Sequence, residues 1–407
     1  MDLYSGIPYW IAKNSLNDYF NPLESDHSTY VAIIGAGITG ALVAHELCSA
    51  GIKCTVIDKR SITTGSSVAS TALLQYEIDT PLCKLVKIVD EDVAVRAYRE
   101  CLQSITDLEK VFRKVRFNPD FERVSSVYYA SNKEGLELIE EEYKIRKKYD
   151  LPVEFLDKEE LYKKYGIKAP GALENHEAAQ IDSYKVATHL LDYHMKNSNL
   201  EIFTHTEISE CKLQEDGYDL TTAEGHKIRC KYVVIAAGFE AEPFLPKKVM
   251  KLTSTYAIAS EPVEEKYIWP NRSLIWETKT PYIYVRTVDK NRIIVGGEDE
   301  DFSDPVKRDE LIREKTKTLE KKFSKLFPDI PFKTDMAWTG TFSSTEDGLP
   351  YIGTWQGKDR MFFALGYGGN GITFSMIAAQ IIRNKLTDIE DDREAIFGFE
   401  RKRKSKH

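Results

Sequence analysis

The chain has 407 residues, long enough for roughly two domains. Its apolar fraction of 42% and charged fraction of 29% are those of an ordinary globular protein, and a net charge of −8 argues against a nucleic-acid-binding surface. No apolar run approaches the ~20 residues of a membrane helix, and six cysteines without a C-x-x-C pair read as buried thiols of a reducing compartment, so a cytoplasmic location is expected.

The first stretch, MDLYSGIPYWIAKNSL, has no basic leader followed by an apolar run, so no signal peptide is expected. Val31 to Ile34 is a short β-branched run that predicts a buried strand. Gly35, Gly37 and Gly40 follow as G-x-G-x-x-G, with Ile38 and Thr39 inside the motif. Leu42, Val43 and Leu47 then carry a helix that ends near Gly51. KCTVID is the next strand, closed by Asp58 and followed by Lys59. Strand, glycines, helix and an acid about 20 residues on make a dinucleotide-binding unit. The glycines allow a tight turn, close approach to a pyrophosphate and close helix–strand packing. The helix N-terminus offers free N–H groups to phosphate. Asp58 can accept from both ribose hydroxyls and would repel a 2′-phosphate, which disfavours NADP. The motif alone does not separate NAD from FAD; a plain tight βα turn is the bland alternative.

Residues 63–82, TTGSSVASTALLQYEIDTPL, hold no charge before Glu77. Ser66, Ser67, Ser70 and Thr71 can bond phosphate and ribityl hydroxyls, and Ala72, Leu73 and Leu74 can run along a ring system. A Ser/Thr-capped helix start with an apolar face is the alternative reading. Together, GAGITGALVAHELCSAGIKCTVIDK and GSSVASTA resemble the start of the D-amino-acid oxidase superfamily, which includes glycine oxidase, sarcosine oxidase and γ-glutamylputrescine oxidase-like flavoproteins. GHKIRCKYVVIAAGFEAE resembles that family's strand returning to the dinucleotide domain, with Ala236, Ala237 and Gly238 as its turn. TGTFSSTEDGLPYIGTWQGKDRMFFALGYGGNGITFSMIAAQIIRNKL resembles its C-terminal flavin block. The resemblance implies FAD as cofactor, with Ile208, Ala237 and Gly238 among its contacts.

Residues 84–165 read as helices rich in Lys, Glu and Arg around a strand at 124–131. The segments 254–262, 273–278, 281–287 and 292–298 alternate with period two, which predicts antiparallel strands. The expected fold class is α/β plus α+β: a discontinuous Rossmann-like FAD-binding domain (1–83, 150–249 and 335–407) with an inserted antiparallel-sheet substrate domain (84–149 and 250–334). Tyr256, Trp276, Tyr282 and Tyr284 lie on the predicted sheet; Tyr76, Trp338, Phe342 and Tyr367 lie on segments expected to border the flavin. As a set they could line an amine pocket. Arg286 could pair with a substrate carboxylate or serve as a structural ion pair. His176, His189 and His194, in or near a probable helix, are read as surface or core, and no metal-ligand spacing stands out.

The segment 360–367 predicts a strand and 372–384 a helix apolar nearly all round, hence buried. Between them stands a second G-x-G-x-x-G, Gly366 to Gly371, with no ribose-binding acid after it. The resemblance places Gly369, Asn370, Gly371, Ile372 and Thr373 at the pyrimidine edge of the flavin. There a helix N-terminus would stabilise reduced-flavin charge. The two glycine loops are therefore expected at opposite ends of one FAD. No Cys or His occurs in STALLQYEI or in 337–373, so attachment is expected to be non-covalent. The terminal RKRKSKH reads as a solvated tail.

The sequence departs from the family's carboxylate anchors. Arginine positions of glycine oxidase-like members fall on Phe342 and Gly369. The sarcosine oxidase-like lysine falls on Thr373, the arginines matching TALLQY are absent, and the lysine that serves oxygen falls on Ile294. The expected reaction is FAD-dependent oxidation of a C–N bond in an amine or amino acid, with hydride passing to flavin N5, an imine hydrolysed by water, and oxygen or another acceptor taking the electrons. Dehydrogenation of a hydroxy acid or alcohol, and a non-catalytic flavin-binding role, are the alternatives.

Overall fold

The computed structural model describes residues 2–16, 19–198, 200–245, 247–289, 291–366 and 368–404. Its centre is a run of five parallel strands. In spatial order these are Glu201–Phe203, Cys54–Ile57, His27–Ile34, Lys227–Ile235 and Met361–Leu365. Numbered along the chain, the order is 3-2-1-4-5, that of a doubly wound dinucleotide-binding sheet. Tyr351–Thr354 closes one edge antiparallel, and Ile208–Gln214 with Gly217–Thr222 forms a hairpin paired to Lys227–Ile235. The first strand is buried on both faces. Val31 and Ile33 join the core under the helices, while Ala32 and Ile34 join the core on the opposite side. That is why the run is apolar without alternation.

Ile38–Ser49 leaves the first strand and packs against Ser183–Asn197 and Gly371–Leu386. The last of these helices is wedged between two cores. Ile372, Met376, Ala379 and Ile382 face one, and Phe374, Ile377, Ala378 and Ile381 face the other, so it is apolar all round as expected.

The second sheet has ten strands. It runs Tyr4–Gly6, Thr334–Ser344, Lys251–Ser260, Arg292–Glu300, Ile283–Val288, Leu274–Glu277, Glu122–Tyr129, Gly171–Gln180 and Leu73–Leu74, with Glu154–Asp157 beside Gly171–Gln180. All its pairings are antiparallel except Leu274–Glu277 with Glu122–Tyr129. The sequence-based expectation of helices at 84–165 holds for Leu82–Ile88, Glu91–Lys114, Lys133–Lys148 and Lys158–Tyr165.

Three features differ from the sequence reading. The segment 150–249 does not go to one sheet: Glu154–Asp157 and Gly171–Gln180 join the ten-stranded sheet, as do Tyr4–Gly6 and most of Thr334–Ser344. His176 lies on a strand, not a helix. The basic terminus is not a free tail through Lys404: Arg401 is buried, donating to both oxygens of Asp347 at 2.8 Å, and Arg403 Nε reaches the same carboxylate at 2.9 Å. Residues 405–407 lie outside the described residues. Among the described residues the cysteines are unpaired, with Cys48 and Cys211 half-buried and the others buried, and no helix is long and apolar enough to cross a membrane.

Candidate functional site

In-register pairing puts Ile34 beside both Ile57 and Ile235. Gly35, Asp58 and Ala236 therefore leave the sheet together at its carboxyl edge, where the strand order reverses and ligands bind doubly wound sheets. A cavity of about 730 Å³ opens there and extends to the ten-stranded sheet. That size is within the usual range for a cofactor or substrate site.

At the first glycine loop, a Cβ on Gly40 would run into the carbonyl oxygen of Gly35, so only glycine lets the helix start this close to the strand. Ser67 Oγ accepts from the Ile38 amide at 2.9 Å, tying the serine-rich segment to the helix N-terminus. Asp58 accepts from the amides of Ala36 (2.7 Å) and Arg60 (2.8 Å), one on each oxygen, which leaves a lone pair on each for a ligand's hydroxyls. Burial raises its carboxyl above the usual range, and the two amides oppose that shift. Lys59 and Arg60 turn to Glu240, at 3.0 Å and 2.7 Å. Burial works against ionisation of Glu240, but these cations hold its carboxyl down to about 2.

The second glycine loop stands beside the first. Thr39 Oγ1 and Ser375 Oγ, each in the first turns of its helix, meet at 2.8 Å. The Gly369 amide donates to Asp79 Oδ2 at 2.6 Å, and Asn370 Nδ2 donates to the carbonyls of Gln75 (3.0 Å) and Glu77 (2.9 Å). The loop is thus stitched to the segment that follows the serine-rich stretch.

That stretch is itself pinned by three side chains. Trp10 Nε1 donates to the Ser70 carbonyl (2.6 Å) and Trp338 Nε1 to that of Ala69 (3.0 Å). Arg286 NH1 donates to the carbonyls of Thr71 (2.6 Å), Ala72 (2.9 Å) and Ile181 (3.1 Å).

Of the residues read from sequence as cofactor contacts, Gly35, Gly37, Ile38, Thr39, Asp58, Lys59, Ser66, Ser67, Ser70, Thr71, Ala72, Leu73, Ile208, Ala237, Gly238, Gly369, Asn370, Gly371 and Ile372 line this one cavity. Gly40, Leu74 and Thr373 do not. Gly40 serves helix packing, Leu74 is in the core, and Thr373 donates to the Asn370 carbonyl at 2.9 Å.

Among the pocket aromatics, Trp276, Tyr282, Tyr284 and Phe342 line the cavity. Tyr76 and Tyr256 are core residues instead: Tyr76 donates to the Pro152 carbonyl at 2.5 Å, and Tyr256 packs in the apolar core of the large sheet. Arg286 is not a carboxylate anchor facing the cavity, because its guanidinium is spent on backbone carbonyls; burial lowers it to about 10. Tyr367 lies outside the described residues.

The sequence reading passed over Gln75, Glu77, Asp79, Thr255 and Thr341, which also line the cavity. In LLQYEID, which is strand at Leu73–Leu74 and then bends, residues 73, 75, 77 and 79 line the cavity while Leu74, Tyr76 and Ile78 join cores. Period-two alternation was the signal that could have found them.

Glu77 accepts from Ser126 Oγ at 3.1 Å on one oxygen and shares Arg146 with Glu142. Asp79 is surrounded by protein while its carboxylate stays open to the cavity. Burial raises it, against the Gly369 amide. The three histidines stand elsewhere: none of them lines the cavity, and His194 Nε2 meets His45 Nδ1 at 2.9 Å in the helical core. Glu154, Glu174 and His176 come within metal-ligating distance of one another, but Lys164 already holds Glu174 at 2.7 Å.

A family model described as FAD dependent oxidoreductase, DAO, matches residues 30–384. The chain is similar to the probable oxidoreductase OrdL of Haemophilus influenzae, 21% identical over 96% of this chain and 90% of that protein. It is similar to the glycine oxidase of Geobacillus kaustophilus, 24% identical over 89% of this chain and 94% of that one. Its fold superimposes with a TM-score of 0.75 on the L-α-glycerophosphate oxidase of Mycoplasma pneumoniae with FAD bound, at 17% identity over 89% of this chain and 95% of that chain. The cradle fits such a cofactor. It has a glycine at position 37 where a Cβ would come within 2.9 Å of Ser67 Oγ, an acid with free lone pairs at the strand end, and a cavity reaching both glycine loops.

Proposed function

The chain belongs to the DAO family of FAD-dependent oxidoreductases, and from that premise we propose that it oxidises the carbon–nitrogen bond of an amine or amino acid. When bound, FAD supplies the hydride acceptor at N5, and water hydrolyses the resulting imine. The observation that carries the reading is the single cavity that joins the dinucleotide cradle to a wall of Trp276, Tyr282, Tyr284 and Phe342. Its first end suits an ADP moiety: Asp58 would hold the ribose and the helix N-terminus at Ile38 would meet the pyrophosphate. Its second end suits a flavin ring and a substrate against the aromatic wall.

The protein's own contribution is orientation, water exclusion and electrostatics. The clamp of Trp10, Trp338 and Arg286 fixes the strip 69–72 along which the ring would lie. The helix beginning at Gly371 turns its N-terminus toward the same end, where it favours negative charge by about 0.3–2 kcal/mol. Tyr282 stays a neutral phenol, since burial and then the fields of Asp299 and Asp79 push its pKa up. No Cys or His lines the cavity among the described residues, which supports non-covalent retention of FAD.

The test is an anaerobic visible spectrum of the purified protein with a panel of amines, amino acids and hydroxy acids. Bleaching of a bound flavin by an amine or amino acid is the expected result, and admission of air then shows whether oxygen is the acceptor. Bleaching by hydroxy acids alone would overturn the reading.

A further inference from the structure

The chemistry of the inner cavity narrows the substrate class, an inference that rests on the C–N reading above. Among the described lining residues the only cations are Lys59 and Arg60, and both belong to the first glycine loop's end, engaged with Glu240. The inner end carries carboxylates instead.

Glu77 and Asp79 line it directly. Glu77 is 5% exposed, and its Oε2 has no hydrogen-bond partner. The one cation beside it, Arg146, is shared with Glu142, whose Oε1 takes Arg146 Nε at 2.7 Å. Those three groups therefore sum to one net negative charge when ionised. Asp299 does not itself line the cavity; it follows Glu298, whose amide donates to the Tyr282 carbonyl at 3.0 Å, and stands behind the lining residues Tyr282 and Thr255, with its Oδ1 buried and without a partner. Asp79 and Asp299 are close enough that each field is felt by Tyr282 and that Asp79 raises Asp299.

Buried carboxylate oxygens without partners are costly, and a cation entering the cavity relieves that cost. Four aromatic rings on the same wall add faces that attract a cation. A substrate carboxylate would meet repulsion here, and among the described residues no arginine or lysine lines this end of the cavity.

We propose that the substrate is an aliphatic diamine or polyamine, whose distal ammonium is held by Asp79 and Glu77, with Asp299 adding its charge from behind Tyr282 and Thr255, while the other nitrogen, uncharged, lies next to the carbon to be oxidised. These carboxylates are the specificity determinants of the site.

Three ligands built on a four-carbon chain separate the possibilities: 1,4-diaminobutane, butylamine and 4-aminobutanoate, whose distal groups are an ammonium, a methyl and a carboxylate. The FAD-loaded protein is titrated anaerobically with each. Affinity is read from the perturbation of flavin absorbance and from the ligand-dependent rise in Tm, which need no turnover. The expected order is diamine tightest, by at least about tenfold over butylamine, with 4-aminobutanoate weakest.

In Asp299→Asn, Asp79→Asn and Glu77→Gln the diamine-to-butylamine ratio falls to within about threefold of unity. Asp79→Asn also alters the partner of the Gly369 amide, so Asp299→Asn, away from that loop, is the deciding variant. Binding of 4-aminobutanoate as tight as the diamine, an unchanged ratio in Asp299→Asn, or no binding by any of the three overturns the inference. The C–N reading fails separately, when the wider panel bleaches the flavin only with hydroxy acids.

Discussion

Asp58, at one end of the cavity, and Asp299, behind the lining residues Tyr282 and Thr255 at the other, put one residue type in two different settings. Asp58 is held by two amides with lone pairs to spare, so Asp58→Asn removes charge-assisted bonds to a ribose and keeps the shape. Loss of about 2 kcal/mol is expected, or roughly 30-fold weaker FAD binding, measured by flavin fluorescence on titrating the apoprotein. Asp299 is pushed up to about 6 by burial, with the Thr255 hydroxyl opposing, Asp79 and Glu298 adding to the rise and Lys315 reducing it. It gains charge as pH climbs through that value. 1,4-Diaminobutane, a dication in solution at these pH values, sheds one proton to bind with an uncharged reacting nitrogen, so its affinity rises with pH in either protein; between pH 5 and 7 the parent climbs more steeply than Asp299→Asn, and above pH 7 the two slopes agree. For stability the sign is reversed: the folded state holds this proton more tightly than the unfolded chain, so the contribution of Asp299 falls as pH rises from about 4 to about 6. Sequence patterns made Asp58 legible because its spacing from the glycines is a local property. Glu77, Asp79 and Asp299 were not, since an acid in a short polar stretch looks solvated until a distant strand closes over it.

The serine-rich segment illustrates the same limit for a whole element. Its composition pointed to a cofactor, but what shapes it arrives from three remote places: Trp10, Arg286 and Trp338. Arg286→Ala strips side-chain donors from the carbonyls of Thr71, Ala72 and Ile181, a cost of about 3 kcal/mol. FAD affinity and Tm are expected to fall together, while discrimination between amine and carboxylate substrates stays as in the parent, because the guanidinium does not face the cavity. A change in that discrimination would return Arg286 to the substrate. The helix Ile38–Ser49 was readable to within a few residues, as was Gly371–Leu386, because glycine punctuation and apolar runs mark helices locally. Gly40→Ala tests the tightest point: its Cβ meets the Gly35 carbonyl, so the helix must retreat. The expected loss is at least ~2 kcal/mol in chemical denaturation, together with FAD retention.

Across the whole molecule, the 3-2-1-4-5 sheet follows from two motifs, yet the division of the chain between the sheets was legible only in outline. Strands such as Tyr4–Gly6 and Thr334–Ser344 pair across nearly the full chain, and no local pattern announces such a partner. The basic terminus was misread for the same reason. RKRK looks solvated, but Arg401 stacks on Tyr351 and pairs with Asp347, with side-chain exposures of 1% and 0% for the pair. Arg401→Ala leaves Asp347 buried beside Arg403 alone. Destabilisation by about 3–5 kcal/mol is expected in urea denaturation, with little change in the FAD spectrum of the protein that remains folded.

The contact between Thr39 and Ser375 spans 336 positions. On a ribosome moving at ~5–20 residues per second, the second of these residues is made roughly 20 to 70 s after the first. For more than half of that interval His27–Ile34 also waits for Lys227–Ile235, an open apolar strand edge on a nascent chain. The first glycine loop is complete early and has nothing to close against. Cofactor capture is therefore a late, post-translational event, and the half-made protein is a natural client for chaperones rather than for flavin.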